Sequence, residues 1–299
     1  MVGIGKIQHI VIGLMSFSIC WVAAYFVGTP GLAFRGRCAL IGLRLLIRNL
    51  DFTRAYKLIV KPMDSVRYFE FDFIWGAVKD MKINSYLDIS SPRLFPLMLI
   101  DANQDLRATL INPDKKDLPI TVSLAKSMGL AERCRFNSDL IGDAFLEPNS
   151  FDLITSISVI EHILDDKEAI QRMWDLLKPG GRLLISVPCA AIASEEYTNR
   201  NDYELINQDE SGFVFWQRYY NENLLRQRIY SVTGEPLRSG IYSEKQAGNY
   251  EKNVMRKRTD QYYPYYQEPY ITGLRYQRRD SISELPGMGV IAMEFIKGG

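Results

Sequence analysis

The chain reads as an α/β protein: a doubly wound, mostly parallel sheet of seven strands with helices on both faces, preceded by an N-terminal hydrophobic helix. Three observations predict this. Short apolar runs at 86–89, 108–111, 134–136, 151–157 and 182–187 alternate with helical stretches near 93–104, 117–129 and 165–178. The run RLLISVP, residues 182–188, has few polar side chains, as a strand covered on both faces requires. Val232–Tyr242 supplies a further strand, and GVIAMEFIK, residues 289–297, the last one.

The bulk numbers fit that class. The chain has 299 residues, 47% hydrophobic and 24% charged, enough for one large domain with additions. A net charge of +1 gives no pull toward nucleic acid. Cys20, Cys38, Cys134 and Cys189 share no short spacing, which argues against a disulfide framework or a zinc cage and fits a reducing compartment. With His9 and His162 as the only histidines, a histidine-rich metal site is excluded.

Residues 10–27, IVIGLMSFSICWVAAYFV, carry no charge and approach the ~20 residues a helix needs to cross a bilayer. Lys6 precedes them; Arg35, Arg37, Arg44 and Arg48 follow, which places the bulk of the chain on the cytoplasmic side of a membrane. The sequence therefore predicts a single-pass N-terminal anchor over residues 1–63, with CALIGLRLLIRNL (38–50) lying along the membrane surface, and a main domain over 64–299. A helix buried in or docked on the protein, or a cleaved signal peptide, fits the same composition.

The helix at 165–178 is the clearest of the main domain. Asp165 and Glu168 have capping-box spacing. Ala169, Ile170, Met173, Trp174 and Leu177 share a face, and Lys178-Pro179-Gly180-Gly181 stops the helix. No phosphate-binding loop, nucleophile elbow or dinucleotide glycine fingerprint is present, which sets aside a nicotinamide-dependent enzyme.

The stretch EPNSFDLITSISVIEHILDDKEAIQRMWDLLKPGGRLLISVP, residues 147–188, resembles the class I S-adenosylmethionine-dependent methyltransferases, most closely their small-molecule and saccharide subgroup. Asn149-Ser150-Phe151-Asp152 opens a strand, Glu161-His162 follows it, then come a helix, Leu177-Lys178-Pro179-Gly180-Gly181 and a strand. The resemblance covers about 80–190, the expected cofactor-binding core. It implies a Rossmann-like methyltransferase fold with an antiparallel last strand, and S-adenosylmethionine as cofactor.

The resemblance also implies site residues. Asp88 ends the first strand, and Ser90, Ser91 and Pro92 stand where the family has glycines, so the serine hydroxyls are expected to contact the methionine moiety. Asn112, with Asp114 two residues on, falls where an acid holds the ribose hydroxyls; an Asn-Pro turn explains Asn112 as well. Asp139 falls near the adenine, with Asp143 as a competing assignment. Glu161 and His162 lie at the methyl end, where neutral His162 can take a proton from an acceptor hydroxyl or simply pack the strand end. Ser158 replaces the acid that metal-binding relatives carry, so no metal is expected.

Residues 191–285 are expected on the substrate side. Phe213, Phe215, Trp216 and Tyr219 either stack on an acceptor or form core, and 243–280, rich in charge and tyrosine, reads as a lid or a solvated loop. The resulting expectation is methyl transfer to an oxygen or nitrogen of a small-molecule, saccharide or lipid-linked acceptor. The alternative is a non-catalytic methyltransferase-like binding domain with a degenerate cofactor loop. The oligomeric state is not fixed by the sequence.

Overall fold

The computed structural model describes residues 4–63, 65–201, 205, 208 and 210–298. Residue 64, at the expected domain boundary, and residues 202–204, 206, 207 and 209, in the expected substrate-side region, lie outside the described residues. Two compact units emerge. One comprises Met1–Gly76, Tyr242–Arg279 and Leu285–Gly289; the other comprises Ala77–Ile241, Asp280–Glu284 and Val290–Gly299.

The strands are β1 (Ser85–Ile89), β2 (Arg107–Ile111), β3 (Cys134–Asn137), β4 (Phe151–Ile157), β5 (Leu177–Cys189), β6 (Ser194–Thr198), β7 (Val214–Tyr219), β8 (Arg238–Glu244), β9 (Tyr276–Arg279) and β10 (Gly289–Ile296). Eight form one sheet in the order β3-β2-β1-β4-β5-β10-β8-β9, while β6 and β7 pair antiparallel. The sheet thus has one strand more than the seven expected, because Tyr276–Arg279 joins its edge. Pairs β1–β2, β2–β3, β1–β4 and β4–β5 are parallel. The N–H of Gly180 donates to the Lys297 carbonyl (2.8 Å) and the N–H of Lys297 to the Gly181 carbonyl (3.0 Å). The start of β5 thus lies beside the end of β10, and the two run in opposite directions. The strand order reverses direction between β1 and β4, and such a switch point opens a crevice at the carboxyl ends of the strands.

The helices of the first unit are α1 (Ile4–Phe26), α2 (Leu32–Asn49), α3 (Phe52–Val60) and α4 (Arg67–Val78, which ends in the second unit). Those of the second are α5 (Leu94–Ala102), α6 (Leu118–Met128), α7 (Asp166–Leu176), α8 (Glu222–Leu225) and α9 (Ser231–Thr233), the last two joined by a π-helical turn. The first unit closes with α10 (Asn249–Thr259) and α11 (Glu268–Arg275). Phe95 to Ile100 of α5 are all buried, so this helix is apolar all round and covers the sheet. Helix α7 buries Ala169, Ile170, Met173 and Leu176. Its expected capping box does not form: the Asp165 side chain makes no cap hydrogen bond, and the helix ends at Leu176, where Leu177 already pairs with Phe151.

Among the described residues no helix is long and apolar enough to cross a membrane. This overturns the single-pass anchor, and with it the membrane location and the membrane partner drawn from the charge bias. The physical reason is that α1 is docked on protein. Phe17 and Cys20 pack against Ala55, Ile59, Val60 and Tyr266, and Ala24 is fully buried. A side chain at Gly13 would meet the Tyr56 hydroxyl at 2.6 Å. Arg35, read from the sequence as a membrane-flanking charge, is instead 0% exposed. Its guanidinium donates to the Ile59 and Val60 carbonyls at the end of α3 (3.2 and 3.0 Å) and to the Tyr68 hydroxyl (3.1 Å). It also lies over the Trp21 ring, 5.0 Å from the centroid. A cation meeting the unpaired carbonyls of a helix C-terminus is favourable, and here one side chain ties four helices.

The segment 243–280 is folded rather than a solvated loop. Glu268 is fully buried, accepting from the Ser65 N–H (3.1 Å) and the Tyr263 hydroxyl and paired with Lys257 at 3.2 Å. The Asn253 amide donates to the Ser65 hydroxyl at 3.1 Å.

Replacing Arg35 strands two helix-end carbonyls and a phenol away from water. Arg35→Met is expected to destabilise the protein by about 3 kcal/mol, and Tyr68→Phe by about 1 kcal/mol. Urea denaturation of both variants checks the order and the size.

Candidate functional site

The site is built at the carboxyl ends of β1, β2 and β4. Parallel register sets Asp88 beside Thr155 of β4. Tyr86, two residues earlier on the same strand, faces the same side. Asp88 Oδ1 accepts from the Thr155 hydroxyl (2.7 Å) and the Tyr86 hydroxyl (3.1 Å), and these two hydroxyls lie 2.6 Å apart. Asp88 Oδ2 accepts from the Ser91 N–H (3.1 Å). The carboxyl is 3% exposed, and burial pushes its pKa up to about 6 against the pull of hydrogen bonds from Ser91, Thr155 and Tyr86. Asp88 therefore shapes the loop and turns its oxygens into the sheet.

Ser90 has φ of 51°, in the left-handed region that favours glycine. Its N–H and hydroxyl both donate to the Ile111 carbonyl (2.8 and 3.1 Å). Ser91 is buried, and its hydroxyl accepts from the Ile157 N–H (3.1 Å). Both serines are thus engaged by protein: the Ser90 O–H is spent on the Ile111 carbonyl, and the Ser91 oxygen serves as an acceptor for Ile157.

After β2, Asn112 accepts from the Asp114 N–H (3.0 Å), and Asp114 accepts from the N–H groups of Lys116 and Asp117 (2.7 and 3.2 Å). These are the bonds of an Asx turn leading into α6. The Asn112 amide donates to Asp117 (3.0 Å), and the other oxygen of Asp117 is ion-paired with Arg93. Burial pulls the Arg93 pKa down, with Asp114 opposing. Asp139 is exposed after β3, its N–H donating to Asn137 (2.7 Å), and Asp143 is exposed as well.

Beyond β4, a short 3-10 turn (Ile160–His162) carries buried Glu161 and half-buried His162. His162 Nδ1 lies 2.6 Å from the Trp216 carbonyl, and a carbonyl only accepts, so Nδ1 carries the proton. The neutral ring then has Nε2 as its proton-accepting nitrogen, 4.0 Å from Glu161 Oε1. The Trp216 ring stands edge-on to the imidazole at 5.1 Å. Of the expected stacking aromatics, Phe215 is core, Phe213 is exposed, and Trp216 and Tyr219 are half-buried.

A buried ionic cluster holds this side of the site. Asp166 is fully buried and accepts from Arg218 (2.8 Å), Arg228 (2.6 Å) and the Tyr220 hydroxyl (2.6 Å). Arg218 also donates to Glu195 (3.0 Å) and to the Ile163 and Leu164 carbonyls (3.4 and 3.3 Å). The segment bearing His162 is thereby tied to the strand bearing Trp216. Sequence reasoning missed Arg93, Asp117, Asp166 and Arg218. A charged side chain in the loop after the first strand was the available signal for Arg93, and an acid opening the next helix was that for Asp117. A hollow of about 420 Å³ beside α6 is lined by Leu118, Pro119, Val122, Ser123 and Lys126. Its walls come from one helix and offer a single charge, so the chemistry is assigned to the strand ends.

Residues 86–228 match the protein family described as "Methyltransferase domain". No curated protein matches the chain. Among solved structures the chain is similar to the YcgJ protein from Bacillus subtilis, at 16% identity over 77% of this chain and 99% of that one, with a TM-score of 0.50. The MccD protein is 13% identical over 77% and 96% of the two chains, TM-score 0.50. Residues 961–1257 of StiE, named as an O-MT, are 13% identical over 86% and 81%, TM-score 0.50. Residues 86–228 thus carry the match to a methyltransferase domain, and the chain has the Rossmann-like fold of these solved structures.

Asp88 binds its proton more tightly in the folded state than its ordinary value of 3.8 allows in the unfolded one. Its contribution to stability is fully present below 3.8 and is lost as pH rises through about 6. Between pH 4 and pH 7, the stability of Asp88→Asn relative to wild type is expected to rise by about 2 kcal/mol. Denaturant unfolding of both proteins across that range measures the difference, and parallel pH profiles would refute the assignment.

Proposed function

We propose that the chain transfers a methyl group from S-adenosylmethionine to an oxygen or nitrogen of a small-molecule acceptor, with saccharides the preferred class. The observation that carries this reading is the fixed tautomer of His162. The Trp216 carbonyl holds the Nδ1 proton, so Nε2 is the atom that takes a proton from an acceptor hydroxyl or amine. Glu161, 4.0 Å from Nε2, stabilises the imidazolium that results. Trp216 and Tyr219, half-buried on β7, offer apolar faces against which a sugar ring packs.

The residues present fit the methyl donor. The loop Ser90–Arg93 borders the switch-point crevice, and the turn Asn112–Asp117, after the neighbouring β2, supplies carboxylates suited to ribose hydroxyls. Asp139 stands beyond β3 for the adenine amino group. Bound S-adenosylmethionine supplies an activated methyl on a sulfonium, so the chain's own task is binding, orientation and acceptance of the acceptor's proton. A binding domain without turnover is the second reading, favoured by the engagement of both loop serines with protein.

Titration calorimetry of S-adenosylmethionine and S-adenosylhomocysteine into the full chain tests the donor. Micromolar binding, on the order of −8 kcal/mol, is expected for both. His162→Ala is expected to leave that binding unchanged within about twofold and to lower transfer of labelled methyl to an active acceptor by about 10²–10⁴-fold. Donor binding without transfer across a panel of sugars, phenols and amines would favour the second reading.

A further inference from the structure

The loop Ser90–Arg93 borders the crevice, yet its first three positions offer no uncommitted backbone donor. The Ser90 N–H goes to Ile111, the Ser91 N–H goes to Asp88, and Pro92 has none. The Ser90 O–H is spent on the Ile111 carbonyl, and the Ser91 oxygen accepts from the Ile157 N–H. An anionic group arriving there meets one cationic side chain of the loop, the guanidinium of Arg93. That group is ion-paired with Asp117, with side chains 33% and 30% exposed, so solvent reaches both partners. Arg93 Nε is buried and has no hydrogen-bond partner among the described residues, a donor in excess of what Asp117 satisfies. Ion pairs between partly exposed groups are weak and readily exchanged, whereas a guanidinium fork matches a carboxylate in a bidentate manner.

We infer that Arg93 and Asp117 form an exchangeable ion pair that selects ligands bearing both a carboxylate and a ribose diol. On binding, Arg93 turns from Asp117 to the ligand's carboxylate, and Asp117 accepts the ribose hydroxyls, the role the sequence suggests for Asn112 or Asp114. Each charge has a partner in both states, so neither is stranded when the pair opens. A side chain has taken over the work that backbone amides do in a glycine-rich loop. The chemical class selected is an amino-acid nucleoside, and a nucleoside without a carboxylate is disfavoured. This inference rests on the S-adenosylmethionine reading and deepens it.

The test uses S-adenosylmethionine and decarboxylated S-adenosylmethionine, which differ by the carboxylate alone, titrated calorimetrically into the full chain. Wild type is expected to bind the carboxylated ligand about tenfold more tightly or better. Arg93→Gln is expected to bring the two ligands within about threefold of each other by weakening the carboxylated one only. Asp117→Asn is expected to weaken both equally, by about fivefold to tenfold. A full preference that survives Arg93→Gln overturns the assignment and leaves the donor reading standing. Failure of wild type to bind either ligand overturns the donor reading and this inference with it. Thermal unfolding establishes that each variant is folded. Should Arg93→Gln not fold, Arg93→Lys, which keeps the charge and loses the fork, must lower the preference at least about threefold, and an unchanged preference overturns the proposal.

Discussion

The site depends on one buried carboxyl, that of Asp88. Parallel pairing of β1 with β4 delivers Thr155 to it, strand periodicity delivers Tyr86, and the remaining oxygen takes the Ser91 N–H. Once Ser91 is held, the chain must turn at Ser90, which adopts φ of 51° and closes onto the Ile111 carbonyl. A non-glycine residue in this region costs roughly 1 kcal/mol, small beside the hydrogen bonds that hold it there. Pro92 needs no donor partner and leads into α5, whose buried apolar face then fixes the loop against the sheet.

A second buried carboxylate, Asp166, organises the other side by different means. Asp88 is surrounded by neutral donors. Asp166 meets two guanidiniums and a phenol, so it holds its partners by charge. Arg218 passes that order on, since it reaches the carbonyls of Ile163 and Leu164 just after His162. Two residues before Arg218 on β7, the Trp216 carbonyl sets the imidazole tautomer. The proton-accepting nitrogen is therefore oriented by a strand that the parallel core does not contain.

Much of the fold was legible because periodicity and punctuation are local. The runs 86–89, 108–111 and 151–157 are strands within one residue of the expected bounds, and the helix expected over 165–178 forms over 166–176, ending early because Leu177 opens β5. What was not legible depends on partners distant in sequence. Arg35 looks like a membrane-flanking charge until the ends of α3 and Tyr68 are seen around it. The apolar run of α1 has the composition of a span, and only its packing against Ala55, Ile59 and Tyr266 shows what it covers. Tyrosine and charge between 243 and 280 suggested a loop because a satisfied cluster such as Glu268–Tyr263–Asn253 has the same composition as a solvated one. Asp88, Asn112 and Asp139 were expected at strand ends, and they fall at or just past the ends of β1, β2 and β3. Arg93 and Asp117 were missed because an ion pair between a loop and the start of a helix leaves no spacing in the sequence.

The absence of glycine after β1 is then a statement about donors, and it does not by itself mark a lost site. Glycine serves such a loop in two ways: it permits positive φ, and it lets backbone N–H groups approach a ligand. Here serine meets the first requirement at modest cost. The second is not met by the backbone, since the amides of Ser90 and Ser91 are spent and Pro92 has none. A cofactor loop of this kind either loses its anion site or moves it to a side chain. Arg93 is the one residue of the loop that carries a positive charge, and its buried Nε has no hydrogen-bond partner among the described residues. The arrangement is accounted for once a ligand carboxylate is given to Arg93 and a diol to Asp117.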